Sequence, residues 1–230
     1  MTVDVLAMRA RKEQVIEILA NGLKQLAKRR KVTIVHARGI FVDSRTLQLE
    51  GGDPATHPSE RITLDRAIVA TGSRPTVPKT FQLDTDRVMD STGALAPREI
   101  PDTLLVVGGG YIGLEMGVVY AELGTRVTVV EMTDGLLPGA DRDLVKVLHK
   151  RLETRLADIF LNTKVAALTD RGETVEATLE GADHNGAVSF ERVLVSIGWR
   201  PSSSDIGLEN TLVNINDDGF VVVDEKQQTS

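Results

Sequence analysis

The apolar residues of this chain recur with two different spacings, one typical of helices and the other of strands. From about Val5 to Lys28 they fall three or four positions apart, which predicts one long helix with an apolar face. The remaining apolar runs have the length of strands. Those runs are Val32–Val35, Gly39–Val42, Thr46–Leu49, Ile62–Ala70, Lys164–Leu168, Thr174–Leu179, Val188–Ile197 and Val221–Asp224. Strands and helices that share one chain in this way predict an α/β fold.

The middle of the chain carries a strand, a glycine-rich turn, a helix and a second strand, in that order. Leu104–Val107 leads into the turn Gly108-Gly-Gly-Tyr-Ile-Gly113, and Val127–Glu131 follows the helix. The spacing Gly-x-Gly-x-x-Gly is a weak signal by itself. Placed between a strand and a helix, with an acidic residue at the end of the next strand, it is typical of dinucleotide-binding proteins.

Each part of this segment has a predicted role in binding NAD. Gly108 permits the tight turn, Gly110 lets the backbone approach a pyrophosphate, and Gly113 lets the helix pack on the strand. The free amides of the helix that begins near Tyr111 then face the phosphates. Glu131 is predicted to accept hydrogen bonds from the adenosine ribose. Because a carboxylate repels a 2′-phosphate, we predict NAD rather than NADP.

A second pattern is an internal repeat, since Ile62–Pro75 aligns with Val188–Pro201 at a constant offset. Both copies are apolar runs that end in Gly-x-Arg-Pro, and short strand-like runs precede each. This predicts a duplicated nucleotide-binding unit, of which only the second copy retains its glycine turn. We therefore expect the chain to be part of a longer protein, with Thr76–Pro101 as a connection between two domains.

Composition narrows the function rather than the fold. The 230 residues carry a net charge of -6, which argues against a nucleic-acid partner. No apolar run approaches the ~20 residues of a membrane span, so we expect no membrane association. The chain has no cysteine, which excludes thiol chemistry of its own and fits a cytoplasmic protein. No metal site is predicted, and structural or solvated roles are expected for all four histidines, His36, His57, His149 and His184.

Several ordered motifs carry a resemblance to a known family. They are Ala70-Thr-Gly-Ser-Arg-Pro75, Asp90-Ser-Thr-Gly-Ala-Leu95, Gly108–Glu115 and Gly198-Trp-Arg-Pro201. Together they resemble the flavin-dependent pyridine nucleotide-disulfide oxidoreductases, over essentially the whole chain. Within that family, Val130-Glu-Met132 and Asp143–Val147 are most similar to the bacterial dihydrolipoamide dehydrogenases.

The resemblance implies a fold and a domain organisation. Residues 84–204 would form a Rossmann-like, three-layer NAD-binding domain with a β-meander. Residues 1–83 would be part of a related FAD-binding domain, and residues 205–230 a segment that returns toward it. The whole protein would pass electrons from dihydrolipoamide through a disulfide and FAD to NAD. It would act as a homodimer within a 2-oxo acid dehydrogenase complex.

The resemblance also implies which residues contact the cofactors. The NAD site would comprise Gly108, Gly109, Gly110, Tyr111, Ile112, Gly113, Glu115 and Glu131. Its adenine side would be flanked by Val165 and Gly198. FAD would be approached by Gly39, Thr71, Gly72 and Ser73. For Tyr111 two roles stay open, because it either covers the flavin until nicotinamide displaces it or packs over the turn.

Four elements of the family have no counterpart in this chain. They are the redox-active cysteine pair, the FAD domain's own glycine fingerprint, the final FAD-binding segment, and the dimer domain with its histidine–glutamate pair. We therefore predict that the chain alone binds NAD(H) weakly, retains little FAD and is not catalytic. The alternatives are a part of another family member, such as an NADH oxidase or other FAD-dependent reductase, and a non-catalytic NAD-binding module. A remnant that only binds partners would instead expose apolar surface and form oligomers.

Overall fold

The computed structural model of the protein describes residues 3–52 and 59–230, so His57 lies outside the described residues. The chain forms two compact units. The central unit comprises Met1–Lys12 and Pro75–Gly198, and the flanking unit comprises Glu13–Arg74 and Trp199–Ser230. The two units are defined by contacts within the chain. The assignment of NAD to one unit and FAD to the other stays a prediction.

The flanking unit contains a long helix and a small antiparallel sheet. Its elements are α1 (Val5–Arg29, whose first residues belong to the central unit), β1 (Arg38–Asp43), β2 (Thr46–Glu50), β3 (Arg61–Thr63) and β4 (Ser73–Pro75). The first three strands form a meander in the order β1-β2-β3. The predicted strands Gly39–Val42 and Thr46–Leu49 are thereby confirmed.

The long helix is confirmed, but the packing of its apolar face is not. No residue of α1 is buried. The side chains of that face are exposed by 40% at Val15, 64% at Leu19, 69% at Leu23 and 51% at Leu26. Helix-favouring residues therefore account for α1, and burial does not. Among the described residues, no helix is both long enough and apolar enough to cross a membrane.

Two predicted strands of the flanking unit are wrong. Residues 32–36 have no regular structure, and the run from Ile62 to Ala70 contributes only β3 before the chain becomes irregular. Ile68 is 94% exposed. An apolar run becomes a strand only where neighbouring strands accept its hydrogen bonds, and no described strand pairs with residues 65–70.

The central unit contains the larger sheet. After the short 3-10 helix Lys79–Phe81, its elements are β5 (Val88–Met89), α2 (Ser91–Ala94), β6 (Thr103–Val107), α3 (Tyr111–Glu122), β7 (Arg126–Val130), α4 (Arg142–Leu152), β8 (Asp158–Phe160), β9 (Thr163–Asp170), β10 (Val175–Gly181), β11 (Asn185–Phe190) and β12 (Arg192–Val195). Five strands form a wholly parallel sheet in the order β5-β12-β6-β7-β8. The remaining three form an antiparallel meander in the order β11-β10-β9.

The parallel sheet is buried on both faces, which explains its apolar sequence. On one face Leu105, Val107 and Val193 pack against the meander of β9, β10 and β11. On the other face Leu104 and Val106 pack with side chains of α3 and α4. Meander, sheet and helices make three layers, so the predicted α/β, Rossmann-like architecture is confirmed.

Three further segments differ from the sequence prediction. The segment Thr76–Pro101 is not only a connection, because β5 enters the parallel sheet and Asp90 caps α2 by accepting from Gly93 N at 2.9 Å. The run Val188–Ile197 is split at Glu191 between the meander and the parallel sheet. The run Val221–Asp224 forms only the single bridge Ile215–Val221. Composition alone cannot show which sheet offers a partner.

The two copies of the repeat meet at their Gly-x-Arg-Pro ends. Trp199–Pro201 forms β13, which pairs with β4 in a two-stranded sheet. The 3-10 helix Leu208–Asn210 follows in the flanking unit. Within the central unit, Thr76 N donates to Gly198 O at 2.9 Å. The repeat is therefore visible as local pairing, although only its second copy forms a strand of a parallel sheet.

Tyr120 supplies a test of packing in the central unit. It is 2% exposed, its hydroxyl donates to Ala94 O at 2.9 Å, and burial raises its pKa although the charge of Arg192 opposes the shift. We expect Tyr120→Phe to lower the free energy of unfolding by about 1 kcal/mol at pH 8.

Tyr120 also makes the free energy of unfolding depend on pH. Because its pKa is raised on folding, its contribution is fully present below the unfolded pKa of about 10 and is lost as the pH rises through the folded pKa. The stability difference between wild type and Tyr120→Phe should therefore shrink above pH 10 in urea unfolding. Tyr111→Phe, which alters the exposed tyrosine, is the control and should follow wild type. A constant difference from pH 8 to 11 would contradict the role given to Tyr120.

Candidate nucleotide-binding site

The candidate site is built where the central strands of the parallel sheet end. Gly108 follows β6 directly and has a φ of +105°, a conformation that favours glycine. Its amide donates to Val130 O at 2.8 Å, and Ser196 N donates to Val107 O at 2.9 Å. The turn is thus held between the ends of β7 and β12. This is the edge at which open parallel sheets bind ligands.

Two glycines of the turn have opposite surroundings. A Cβ at Gly113 would collide with the Gly108 carbonyl oxygen, with Ser196 Oγ and with Val106 Cγ1. A Cβ built at Gly110 would have no atom within 4 Å. Gly113 is therefore required by close packing between α3 and β6. The protein itself leaves room at Gly110, as expected of a glycine whose neighbour is a ligand.

The start of α3 offers hydrogen-bond donors. Gly110 is the N-cap and has no side chain to cap the helix, and the first helical hydrogen bond runs from Leu114 N to Gly110 O at 3.1 Å. The amides of Tyr111, Ile112 and Gly113 precede that bond, so they have no carbonyl partner within the helix. Such an end binds anions such as a pyrophosphate.

Glu131 lies directly beside the turn and is 7% exposed. Its Oε2 accepts from Gly109 N at 2.7 Å, and its Oε1 accepts from Thr133 N and Thr133 Oγ1, both at 2.8 Å. The carboxylate predicted to bind a ribose therefore also fastens the glycine turn to the end of β7. That second role was not predicted.

Sequence reasoning missed three residues that shape the site. Thr133 binds the carboxylate of Glu131. Leu136 is fully buried and lies so close to Gly109 that a Cβ there would be 2.7 Å from its Cδ2. Ser196 donates to Val107 O at 3.0 Å and lies against Gly113. None belongs to the glycine motif, and only their position after β7 or β12 could have drawn attention to them.

The other residues predicted to contact NAD differ in how far they are exposed to solvent. Tyr111 is 64% exposed at the start of α3, which is compatible with both of its predicted roles, and Glu115 is exposed one turn further on. Val165 is 9% exposed, and its side chain belongs to the apolar core. Gly198 is exposed with a φ of +143°. Their contacts with NAD stay predictions.

The residues predicted to approach FAD lie in the flanking unit. Gly39 is part of β1 and pairs with Leu49. Thr71, Gly72 and Ser73 are exposed, and Gly72 has a φ of +70° with its carbonyl accepting from Ser202 N at 2.9 Å. These three residues form an exposed backbone turn. It gives no independent sign of a flavin, and the FAD contacts stay predictions.

A family model described as pyridine nucleotide-disulphide oxidoreductase matches residues 2–230. The chain belongs to this family. The resemblance that the motifs carried is thereby confirmed.

Two curated relatives of this chain within the pyridine nucleotide-disulphide oxidoreductases are dihydrolipoyl dehydrogenases. A dihydrolipoyl dehydrogenase of Haemophilus influenzae is 40% identical over 225 residues, which are 97% of this chain and 46% of that relative. The dihydrolipoyl dehydrogenase of Geobacillus stearothermophilus is 34% identical over 229 residues, which are 100% of this chain and 48% of that relative. The chain thus spans about half the length of the curated relatives it matches.

Solved structures share the fold of this family member. LpdA from Mycobacterium tuberculosis superimposes with a TM-score of 0.86 at 26% identity, covering 100% of this chain and 50% of that one. The flavoprotein disulfide reductase RclA from Escherichia coli, described as HOCl-induced, gives a TM-score of 0.83 at 26% identity and covers 99% and 50%. Both likenesses extend over the central and the flanking unit.

Proposed function

We propose that this chain is the NAD(H)-binding portion of a dihydrolipoyl dehydrogenase. In the whole protein, electrons would pass from dihydrolipoamide through a disulfide and FAD to NAD, within a 2-oxo acid dehydrogenase complex. We further propose that the whole protein is a cytoplasmic homodimer. The identity of 34–40% to curated dihydrolipoyl dehydrogenases supports this choice over other members of the family.

The observation that carries the proposal is the buried contact between Glu131 and the glycine turn. Glu131 Oε2 lies 2.7 Å from Gly109 N, so an acceptor for ribose hydroxyls sits beside the amides that suit a pyrophosphate. The open space at Gly110 lies in the same turn. A negative carboxylate here disfavours a coenzyme with a 2′-phosphate, which supports NAD over NADP.

Electron transfer to the flavin needs groups beyond those of this chain. The sequence contains no cysteine, so the disulfide step is not performed by its residues. FAD, when bound in the whole protein, would supply the electron relay between disulfide and nicotinamide. Gly39 and Thr71–Ser73 are proposed to contact it, while the chain alone is proposed to retain little FAD and to be inactive.

A titration of the full chain with NADH tests the proposal. We expect saturable enhancement of NADH fluorescence, because a surface turn that orders the coenzyme excludes water from it. NADPH at the same concentration should give a much smaller signal, since Glu131 faces the added phosphate. Flavin absorbance in the purified chain should be near zero, and mixing with dihydrolipoamide and NAD should form no NADH. Absence of saturable NADH binding would overturn the assignment, and a flavin-loaded preparation would overturn the statement on FAD.

A further inference from the structure

We propose that Thr133 is the positioning residue that fixes Glu131 for ribose recognition and thereby sets the preference for NADH over NADPH. This inference rests on the proposed function, because it concerns the same carboxylate. Thr133 lies outside the glycine motif, two positions beyond the acidic residue that ends the second strand.

The carboxylate of Glu131 is held by three donors. Thr133 supplies two of them, its amide and its hydroxyl, each 2.8 Å from Oε1. Gly109 supplies the third, its amide 2.7 Å from Oε2. A carboxylate has about four acceptor positions, so one remains, and it lies on Oε2 beside the turn. In the proposed arrangement a ribose hydroxyl donates to this position.

The hydroxyl of Thr133 also lies 3.0 Å from Gly135 O. A hydroxyl has one proton and donates to one acceptor at a time. The contact with Glu131 is the shorter of the two and is assisted by the charge of the carboxylate, which makes it the stronger bond. In the absence of coenzyme the Thr133 hydroxyl therefore donates its hydrogen bond to Glu131.

Removing this hydroxyl changes the freedom of the carboxylate rather than its charge. Glu131 would then be held only by the two backbone amides, and part of its ordering would have to occur when the coenzyme binds, which weakens binding. A fixed carboxylate repels a 2′-phosphate at short range, whereas one that can turn increases its distance and is repelled less. The two coenzymes should therefore respond in opposite directions.

The test compares Thr133→Val with Thr133→Ser in titrations of the full chain with NADH and with NADPH. Thr133 is exposed, so the isosteric valine is compatible with the fold. For Thr133→Val we expect the Kd for NADH to rise about fivefold, the cost of ordering one side chain on binding, while the Kd for NADPH stays equal or falls. Thr133→Ser keeps the hydroxyl and should restore both values.

A purely structural role for Thr133 predicts a different result, because a loosened turn would weaken both coenzymes in proportion. A second measurement needs no coenzyme. Hydrogen exchange at the Gly109 amide should quicken in Thr133→Val and return in Thr133→Ser, since that amide is protected by Glu131. If wild type binds no NADH, the proposed function and this inference both fail. If wild type binds NADH, and Thr133→Val keeps its Kd values and its Gly109 exchange, only this inference fails.

Discussion

Gly110→Val is expected to abolish detectable NADH binding while the protein stays folded. The new isopropyl group would occupy the open space over the turn, where the protein has no atom within 4 Å of a Cβ. A steric cost of about 3 kcal/mol corresponds to a loss of affinity of about a hundredfold. The φ of Gly110 is -74°, so valine introduces no backbone strain, and the change of N-cap residue costs about 1 kcal/mol of stability at most.

The measurement is an NADH titration beside a thermal melt of the same protein. Gly22→Val is a matched control, because Gly22 also has no neighbour within 4 Å but lies on the exposed helix α1. It should bind NADH as wild type does. Saturable binding by Gly110→Val with a wild-type Kd would show that the pyrophosphate does not pass over this turn.

Gly113→Val should have the opposite effect and destabilise the central unit. Its Cβ would overlap the Gly108 carbonyl oxygen and Ser196 Oγ, and would lie 2.9 Å from Val106 Cγ1. Neither the backbone of the turn nor β6 can move without disturbing the buried sheet. Overpacking of this kind costs about 3 kcal/mol or more, a large part of the stability of an ordinary domain.

Urea unfolding followed by circular dichroism measures this loss. The control is Gly117→Ala, since a Cβ at Gly117 meets Val127 Cγ1 at 3.5 Å, an ordinary contact, on the same helix. Alanine there should be neutral or stabilising, because it favours a helix more than glycine does. If Gly113→Val unfolds at the urea concentration of wild type, the close packing assigned to this glycine is wrong.

The strands and the helix around the glycine turn of the central unit were largely predictable, because they depend on short patterns in the sequence. A strand buried on both faces must be apolar throughout, as β6 and β7 are. The glycine turn has a fixed geometry, so its spacing also predicts the start of α3. The helix ends just before Gly124, whose φ of +106° suits a glycine at that position.

The errors arise where structure depends on a distant partner. The first copy of the repeat resembles the second in sequence, yet Ile68 is exposed whereas its counterpart Leu194 is fully buried between neighbouring strands. Hydrogen bonding across a sheet involves residues far apart in the chain, and no local pattern reports it. Composition therefore identified a strand-like sequence without identifying a strand.

The site shows the same division. Glu131 could be singled out because an acid at a strand end has a regular distance from the glycine turn. Thr133 could not, since polar residues after strands are common and its role depends on the rotamer of Glu131. Val165 shows the converse, because the residue implied by the resemblance places its side chain in the core.

The hydrogen bond from Thr76 N to Gly198 O has a consequence for how this protein can be divided. It joins the amide of Thr76 to the carbonyl oxygen of Gly198 at 2.9 Å, so the two ends of the segment Pro75–Gly198 lie close together. A segment with adjoining ends can be excised, circularly permuted or placed within another protein by joining only two neighbouring positions. The part of the chain that carries the glycine turn therefore has the closely spaced ends of a segment that can be transferred into another protein.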